Sequence, residues 1–133
     1  NDDVLLAKVT PCFENGKSGI ARNLTNGFGF GTTELIVFRA TKVIQPEWIY
    51  YFISSHEFLT EGKNHMSGTG GLQRLTKHFV ENYQIPLPSP KVQLDIISKI
   101  ESEQEAVESA KKLIELHEQK IRNKIAEVWG QEQ

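Results

Sequence analysis

The chain has 133 residues, of which 38% are hydrophobic and 24% charged, and its formal net charge is −2 at pH 7. This size suits one small domain or one domain with an extension, and the near-neutral charge gives no global sign of a nucleic-acid binder. A single cysteine excludes an internal disulfide framework and fits a reducing, cytoplasmic location.

Three short strands are predicted in the first third of the chain. Val4–Val9 is an apolar run typical of a buried strand, and Gly19–Leu24 is a second, shorter strand. Thr33–Arg39 has the clearest strand pattern, because its middle is β-branched and aromatic. Between the last two strands, Asn26-Gly27 predicts a tight turn, and the alternation of Phe and Gly over residues 28–31 predicts a strand edge or a bulge.

Helical patterns begin at Pro46. A proline and an acid in the first turn, followed by apolar residues at spacings of three and four, predict one helix that ends near Glu61-Gly62. Residues 63–75 are rich in glycine and are predicted to form a loop without regular structure. Thr76 is expected to cap a short helix, and Gln84–Pro88 must be extended because a residue before proline avoids the helical region.

The last third of the chain is predicted to be one long helix. Ser89 and Pro90 suit the N-cap and the first helical position, and Gly130 suits the residue after the last turn. The intervening residues would span roughly 58 Å at ~1.5 Å per residue, and such a helix needs a partner along its length. The elements together predict an α+β fold, with a small, mostly antiparallel β/α domain at residues 1–88 and one coiled-coil helix at residues 89–130.

An apolar stripe with a seven-residue period runs along this predicted helix. One heptad position is β-branched throughout, which suits a parallel two-stranded seam, whereas the other core position includes Glu103, His117 and Lys124. The helix either packs on its own domain or pairs with a second, similar helix. We favour pairing, because nothing upstream is long enough to cover it. The expected pairing residues are Ile100, Val107, Ala110, Ile114, Ile121, Ile125 and Val128.

None of the patterns for catalysis, metal binding or membrane insertion is complete. Gly16-Lys17-Ser18 is similar to the end of a phosphate-binding loop, but Pro11 stands where that motif needs a glycine. The four histidines show no ligand-like pairing and Cys12 has no evident base beside it, so no metal site and no nucleophile is predicted. The chain is therefore expected not to be an enzyme, to hold no cofactor and, lacking an apolar run of membrane length, to contact no membrane.

Residues 62–80 have the composition best suited to contact with DNA. The stretch contains no acid and combines cationic, amide and hydroxyl side chains with glycines. Arg and Gln can read base edges bidentately, Lys, Ser and Thr can hold phosphates, and Gly lets a backbone approach closely. An ordinary mobile surface loop is the alternative, and composition alone slightly favours that alternative.

The order of several motifs resembles the specificity subunit of type I restriction–modification enzymes. The central run is Gly68-Thr69-Gly70-Gly71-Leu72-Gln73-Arg74-Leu75, and the most specific part is Ile85-Pro86-Leu87-Pro88 with Gln93 in the opening of the long helix. The upstream pieces that fit the same order are Asp3–Leu6, Gly16–Ile20 and Trp48–Tyr51. One departure is Ser89–Gln93, where the family usually has Pro-Leu-x-Glu-Gln. Because the chain begins with Asn in a strand-like pattern, we expect a fragment of a longer polypeptide.

The resemblance implies a non-catalytic subunit with two target-recognition domains, each reading one half of a split DNA sequence and held apart by antiparallel helices. This chain would be the later part of one recognition domain with its spacer helix. Double-stranded DNA is the expected ligand. The expected partners are methyltransferase (modification) subunits, which bind S-adenosylmethionine, with a restriction subunit as a further candidate. The helix would pair with the other spacer helix of the subunit or, in a fragment, with a second copy. The longer parent protein is either a separate specificity subunit or a single chain fused to a methyltransferase.

Candidate DNA-binding residues follow from the motif run and from composition. Arg74 belongs to the motif run and is expected to contact a phosphate rather than to read a base. The complete set of candidates is Lys17, Ser18, Arg22, Lys63, Asn64, Thr69, Gln73, Arg74 and Lys77. The alternative function is a coiled-coil assembly module that does not bind DNA, which is favoured by equal numbers of acidic and basic residues upstream of the helix.

Overall fold

A computed structural model describes residues 1–130 of the chain. The chain divides into two compact units, the first being Asn1–Leu94 and the second beginning at Asp95. The first unit combines two small antiparallel sheets with helices, and the second consists of the greater part of one long helix. The predicted α+β class is therefore confirmed.

A three-stranded antiparallel sheet lies at the centre of the first unit. Its strands, in the spatial order β2-β1-β3, are β1 (Asp3–Ala7), β2 (Ser18–Ile20) and β3 (Leu35–Arg39). Leu5 of the central strand pairs with Gly19 on one side and with Val37 on the other. Val4 and Leu6 are fully buried whereas Leu5 is half-buried, because successive strand residues point to opposite faces.

All three predicted strands are present, but each is shorter than expected. β2 is followed by Asn23, whose φ of 56° lies in the left-handed region and turns the chain away from the sheet. The turn at Asn26-Gly27 is confirmed as part of a 3-10 segment, Thr25–Gly27. The strand edge or bulge expected at residues 28–31 is wrong, because this segment joins no strand in the described part of the chain.

The helix predicted from Pro46 onward is two helices, α1 (Pro46–Ile53) and α2 (His56–Asn64). The break occurs because Ser55 is extended, with φ −67° and ψ 150°, and its hydroxyl accepts a hydrogen bond from the Phe58 amide. Ser55 is therefore the N-cap of a new helix rather than an interior residue of a long one. The single-helix prediction is wrong at this position.

The segment predicted to be a structureless loop contains a β-hairpin instead. Its strands are β4 (Met66–Thr69) and β5 (Leu72–Leu75), which pair antiparallel. The two residues between them, Gly70 and Gly71, have φ of 65° and 78°, which is the two-residue hairpin turn that requires glycine-like backbone freedom. Gly68 is needed for another reason, since a Cβ there would lie 2.3 Å from the Leu72 carbonyl oxygen.

Aromatic side chains form the centre of the core of the first unit. Phe58 is 2% exposed, and its ring centroid lies 6.2 Å from that of Phe13, 5.4 Å from Phe79 and 4.8 Å from Tyr83. Gly62 admits this packing because a Cβ at that position would lie 2.4 Å from the Phe13 ring. The buried cluster consists of Val4, Leu6, Phe13, Ile49, Ile53, Phe58, Leu75 and Phe79.

A short helix and a proline-rich segment complete the first unit. The predicted cap at Thr76 is confirmed, since its hydroxyl accepts from the Phe79 amide at the start of α3 (Lys77–Asn82). The segment Gln84–Pro88, which is predicted to be extended, contains no helix. The segment is held in place by Trp48, whose indole N–H donates to the Pro86 carbonyl at 2.9 Å.

The long helix α4 (Pro90–Trp129) has 40 residues and follows the predicted bounds. Its first turn lies in the first unit and is anchored there by Gln93, which is fully buried. The Gln93 side chain accepts from the Gln45 amide at 3.0 Å and donates to the carbonyls of Val43 and Pro88 at 2.9 and 2.8 Å. Every residue from Glu101 to Gly130 is exposed. Among the described helices, none is both long and apolar enough to cross a membrane.

Candidate nucleic-acid interface

The hairpin that carries Gln73 and Arg74 is fixed on both sides. Strand β5 pairs with β4 on one edge, and on the other edge it pairs with the residues that follow β1. The Leu75 amide donates to the Lys8 carbonyl at 2.8 Å, and the Thr10 amide donates to the Gln73 carbonyl at 2.9 Å. The Thr10 hydroxyl also accepts from the Gln73 amide at 3.2 Å. Because its backbone groups are bonded on both edges, β5 is a rigid platform.

Arg74 makes the strongest ionic contact on this platform. Its Nε lies 3.1 and 3.0 Å from the two carboxylate oxygens of Glu34, and its Nη2 lies 2.7 Å from Oε1. The Arg74 guanidinium donates these hydrogen bonds and holds the pKa of the Glu34 carboxyl below its usual value, while the carboxylate raises the pKa of Arg74. Both side chains stay accessible, at 44% and 30% exposure. The pair thus lies at the surface, where a ligand can reach it.

A groove of about 510 Å³ adjoins Arg74. Its floor is apolar, and its cationic lining comes from three elements, with Lys8 following β1, Arg74 on β5 and Lys77 on α3. Lys77 is highly exposed and pairs with Glu81 at 3.1 Å. The lining consists of Lys8, Ile36, Val37, Phe38, Arg74, Leu75, Lys77, Val80 and Glu81. Three cations around one groove can neutralise neighbouring phosphates of a duplex.

The structure brings together most of the candidates from the glycine-rich stretch. Thr69, Gln73 and Arg74 lie on the hairpin, and Lys77 lies in the groove beside Arg74. Lys63 and Asn64 form the end of α2, immediately before the hairpin begins. The position of these residues follows from the chain path α2-β4-β5-α3, which keeps the stretch local.

The candidates around β2 are divided between the two ends of the sheet. Lys17 meets the end of β1, where the Ala7 amide donates to the Lys17 carbonyl at 2.9 Å and the neighbouring Lys8 amide donates to the Glu34 carbonyl at 3.0 Å. Lys17 is therefore at the same end as the Arg74 pair. Arg22 follows the other end of β2 and is paired with Glu47.

Ser18 is less available than the sequence suggests. Its hydroxyl lies 3.0 Å from the Ser54 hydroxyl and 3.2 Å from the Gly16 carbonyl, and the side chain is partly buried. The hydroxyl therefore has protein partners already, which weakens Ser18 as a phosphate ligand.

Three residues of the candidate interface were missed by sequence reasoning. Glu34 binds Arg74, Lys8 lines the groove, and Thr10 bonds the Gln73 backbone on both its donor and its acceptor. Glu34 is 40 residues from Arg74 and Thr10 is 63 from Gln73, so no local pattern connects them. The available sequence signal was weak: Thr10 and Glu34 are polar residues next to or within predicted strands.

The described residues contain no group of three or more His, Cys, Asp or Glu side chains placed to hold a metal ion. Cys12 is a free, partly buried thiol. The expectations of no metal site and no cofactor in this chain stay predictions.

Comparison with known protein families gives a match over most of the chain. Residues 2–125 match the family described as the type I restriction modification DNA specificity domain. The chain belongs to this family, and the resemblance proposed from its motifs is confirmed.

Two relatives are named specificity subunits. The chain is 42% identical over 98 residues to the type I restriction enzyme EcoAI specificity subunit of Escherichia coli, and 42% identical over 96 residues to the EcoEI specificity subunit of the same organism. The matches cover 73% and 71% of this chain but only 17% and 16% of the relatives. Their names agree with the prediction that the chain is not itself an enzyme. No solved structure matches.

Proposed function

We propose that this chain is a DNA target-recognition module of a type I restriction–modification specificity subunit, which reads one half of a split target. The observation that carries the proposal is the rigid hairpin, which presents Arg74 beside Lys8 and Lys77 at one groove. Arginine and lysine fix a protein on the phosphate backbone, and neighbouring amide and guanidinium groups are the commonest readers of bases. Family membership over residues 2–125 supports the same function.

Local rather than overall charge supports binding in this proposal. The net charge of −2 gives no long-range attraction, but Lys17, Lys8, Arg74 and Lys77 all lie at or near one end of the central sheet. Lys63, Asn64, Thr69 and Gln73 are close to them in the chain and serve as further contacts in the proposal. A few phosphate contacts of this kind give binding that weakens steeply with salt.

The long helix has the assembly role in this proposal. Its candidate pairing residues other than Ile100 are all exposed, with Ile114 and Ile121 at 58% and 59%. A column of exposed apolar side chains at a seven-residue period is stable in water only when another helix covers it. We assign as partner the second spacer helix of the same subunit or, in a fragment, a second copy. The partner methyltransferase subunits dock on this scaffold and carry S-adenosylmethionine.

A second candidate function is a coiled-coil assembly module without DNA affinity. It is favoured by the acidic partners of the cations, since Arg74, Lys77 and Arg22 are paired with Glu34, Glu81 and Glu47. The cation of each pair is still accessible, with Arg22, Arg74 and Lys77 at 51%, 44% and 86% exposure, and each has further N–H donors beside those that its carboxylate accepts. The pairs therefore do not exclude phosphate binding.

The experiment is a duplex-DNA binding titration across salt concentration with the full-length protein and its methyltransferase partner. Arg74→Ala is expected to lower DNA affinity by roughly tenfold or more and to reduce the salt slope by about 1. The matched control is Arg39→Ala, since Arg39 also binds a carboxylate, that of Asp3, through Nε and Nη2 but lies at the other end of β3 from Glu34. Equal affinity of wild type and Arg74→Ala would show that the groove beside Arg74 is not the DNA-binding site. Absence of salt-dependent binding by the wild type would favour the assembly module.

A further inference from the structure

Glu34 binds only one edge of the Arg74 guanidinium. The contacts use Nε and Nη2, so that Nη1 and its side of the fork face away from the carboxylate. An arginine has five N–H donors in a fixed plane, and binding at the Nε edge leaves the end of the fork able to donate two parallel hydrogen bonds. The carboxylate therefore sets the direction of the free edge instead of blocking the group.

Both ends of the Arg74 residue are held. At the backbone, Arg74 is opposite Ser67 in β4 and forms an isolated antiparallel bridge with Val9. At the head group, Glu34 contacts the guanidinium, and the Glu34 backbone is fixed because its main-chain carbonyl accepts from the Lys8 amide at 3.0 Å. An arginine restrained in this way loses little further conformational freedom when it binds a ligand.

We propose that Glu34 is a positioning residue that holds the Arg74 guanidinium for a bidentate contact with DNA. This inference rests on the proposed function. The ligand chemistry is a pair of neighbouring acceptor atoms, which DNA offers as two phosphate oxygens or as O6 and N7 of guanine. Lys8 and Lys77 on the same groove supply the positive field that brings either acceptor pair to Arg74.

A competing role for Glu34 makes the opposite prediction. If the carboxylate merely competed with DNA for Arg74, removal of its charge would strengthen binding. Any acid near DNA also repels phosphates, so that charge removal by itself favours binding. Glu81 lines the same groove and pairs with a cation, Lys77, and it therefore serves as the matched control for the loss of one carboxylate from the groove.

The test measures the affinity of the full-length protein with its methyltransferase partner for duplex DNA that it selects from a random-sequence pool. Glu81→Gln is expected to raise affinity slightly, because it removes a negative charge that repels phosphates. Glu34→Gln is expected to bind about three- to tenfold more weakly than Glu81→Gln, because the arginine loses its charge-assisted restraint. In an Arg74→Ala background, Glu34→Gln and Glu81→Gln should have equal effects, since Glu34 then has no arginine to position.

Further measurements distinguish the two possible acceptors, guanine and phosphate, and show which of the two proposals has failed. If the acceptor is guanine, Glu34→Gln and Arg74→Ala reduce discrimination at one G·C pair. If it is phosphate, they weaken all sequences equally and Arg74→Ala lowers the salt slope by about 1. Glu34→Asp keeps the charge and should retain part of the affinity. Equal affinities of Glu34→Gln and Glu81→Gln beside normal wild-type binding would overturn the inference alone, whereas a wild type that selects no DNA would overturn both proposals.

Discussion

The two units of the chain bury their apolar residues in opposite ways. In Asn1–Leu94, side chains such as Val4, Leu6 and Phe13 are wholly enclosed within the unit. In the second unit, by contrast, no residue from Glu101 to Gly130 is buried, although this range contains Val107, Leu113, Ile114, Leu116, Ile121, Ile125 and Val128. The first unit is therefore stabilised by its own core.

This difference separates residues that are held by contacts within the chain from residues that are not. In the first unit, contacts within the chain hold individual residues in place, as Glu34 contacts Arg74 and Thr10 contacts Gln73. Residues 101–130 of α4 are all exposed and are not held by a core of their own. Long helices in water depend on packing of their apolar face. If a partner helix covers this face, as we propose, the contacts with that partner stabilise α4.

The largest expected effect is the loss of an aromatic side chain from the core. Phe58→Ala should lower the free energy of unfolding of the first unit by about 3–5 kcal/mol, because it removes a 2% exposed ring from the cluster with Phe13, Phe79 and Tyr83. Urea denaturation followed by tryptophan fluorescence measures it. Phe30→Ala is the matched control, since that ring is fully exposed. A cost near zero for Phe58→Ala would contradict the core assignment.

Charges placed in the apolar stripe should affect association and spare the first unit. Ile114→Glu with Ile121→Glu is expected to weaken helix pairing by at least about a hundredfold, because each carboxylate would be desolvated in the seam. Sedimentation or light scattering of this chain measures the association. Lys112→Glu, on the outward side of the helix, is the control and should pair normally. A wild type that stays monomeric at high concentration would refute pairing between copies.

The Gln93 anchor should show an intermediate effect on folding. Gln93→Leu keeps the buried volume similar but leaves the Gln45 amide and the Val43 and Pro88 carbonyls without their partner, at a cost of about 2–3 kcal/mol. The unfolding midpoint of the first unit measures it. Gln84→Ala is the control, because Gln84 is exposed. Equal midpoints for the two variants would show that the anchor contributes nothing.

The smallest expected effect is on acid stability. Arg74 lowers the pKa of Glu34, and Arg39 lowers the pKa of Asp3. These pairs therefore stabilise the fold above the ordinary values of 4.5 and 3.8, and the contribution is lost as the pH falls through the lowered pKa values of the folded state. The double variant Glu34→Gln, Asp3→Asn should lose less stability than wild type on acidification. Urea midpoints at several pH values test this, and parallel curves would contradict it.

Sequence patterns were sufficient wherever a structure is fixed by neighbours in the chain. The cap at Thr76, the start of α4 at Pro90 and the length of α4 were predicted because they depend on one turn of local chemistry or on a sustained period. The hairpin was missed because β4 has no alternating apolar pattern and Gly68 weakens its strand character. Gly70-Gly71 was nevertheless a valid turn signal. The helix break was missed because Phe52 and Leu59, which lie on either side of Ser55, keep a seven-residue helical spacing.

The site was less predictable than the fold for a physical reason. Composition and the motif run identified Arg74 and Lys77, since their residue types occur in one stretch. Their environment depends on Glu34 and Lys8, which reach the same groove only when β1, β3 and β5 come together. Contacts between residues so far apart in the chain leave no repeating pattern in the sequence. Which side chains restrain an arginine is therefore visible only in three dimensions.

The Gln93 anchor has a consequence for how such modules diversify. All three of its partners are backbone groups, the Gln45 amide and the Val43 and Pro88 carbonyls, so the joint makes no demand on the side chains at the first two of these positions. Substitutions there can alter the surface of the module while the attachment of α4 is kept. If the module recognises DNA as proposed, its surface can change toward new targets while the first turn of α4 keeps the same hydrogen bonds.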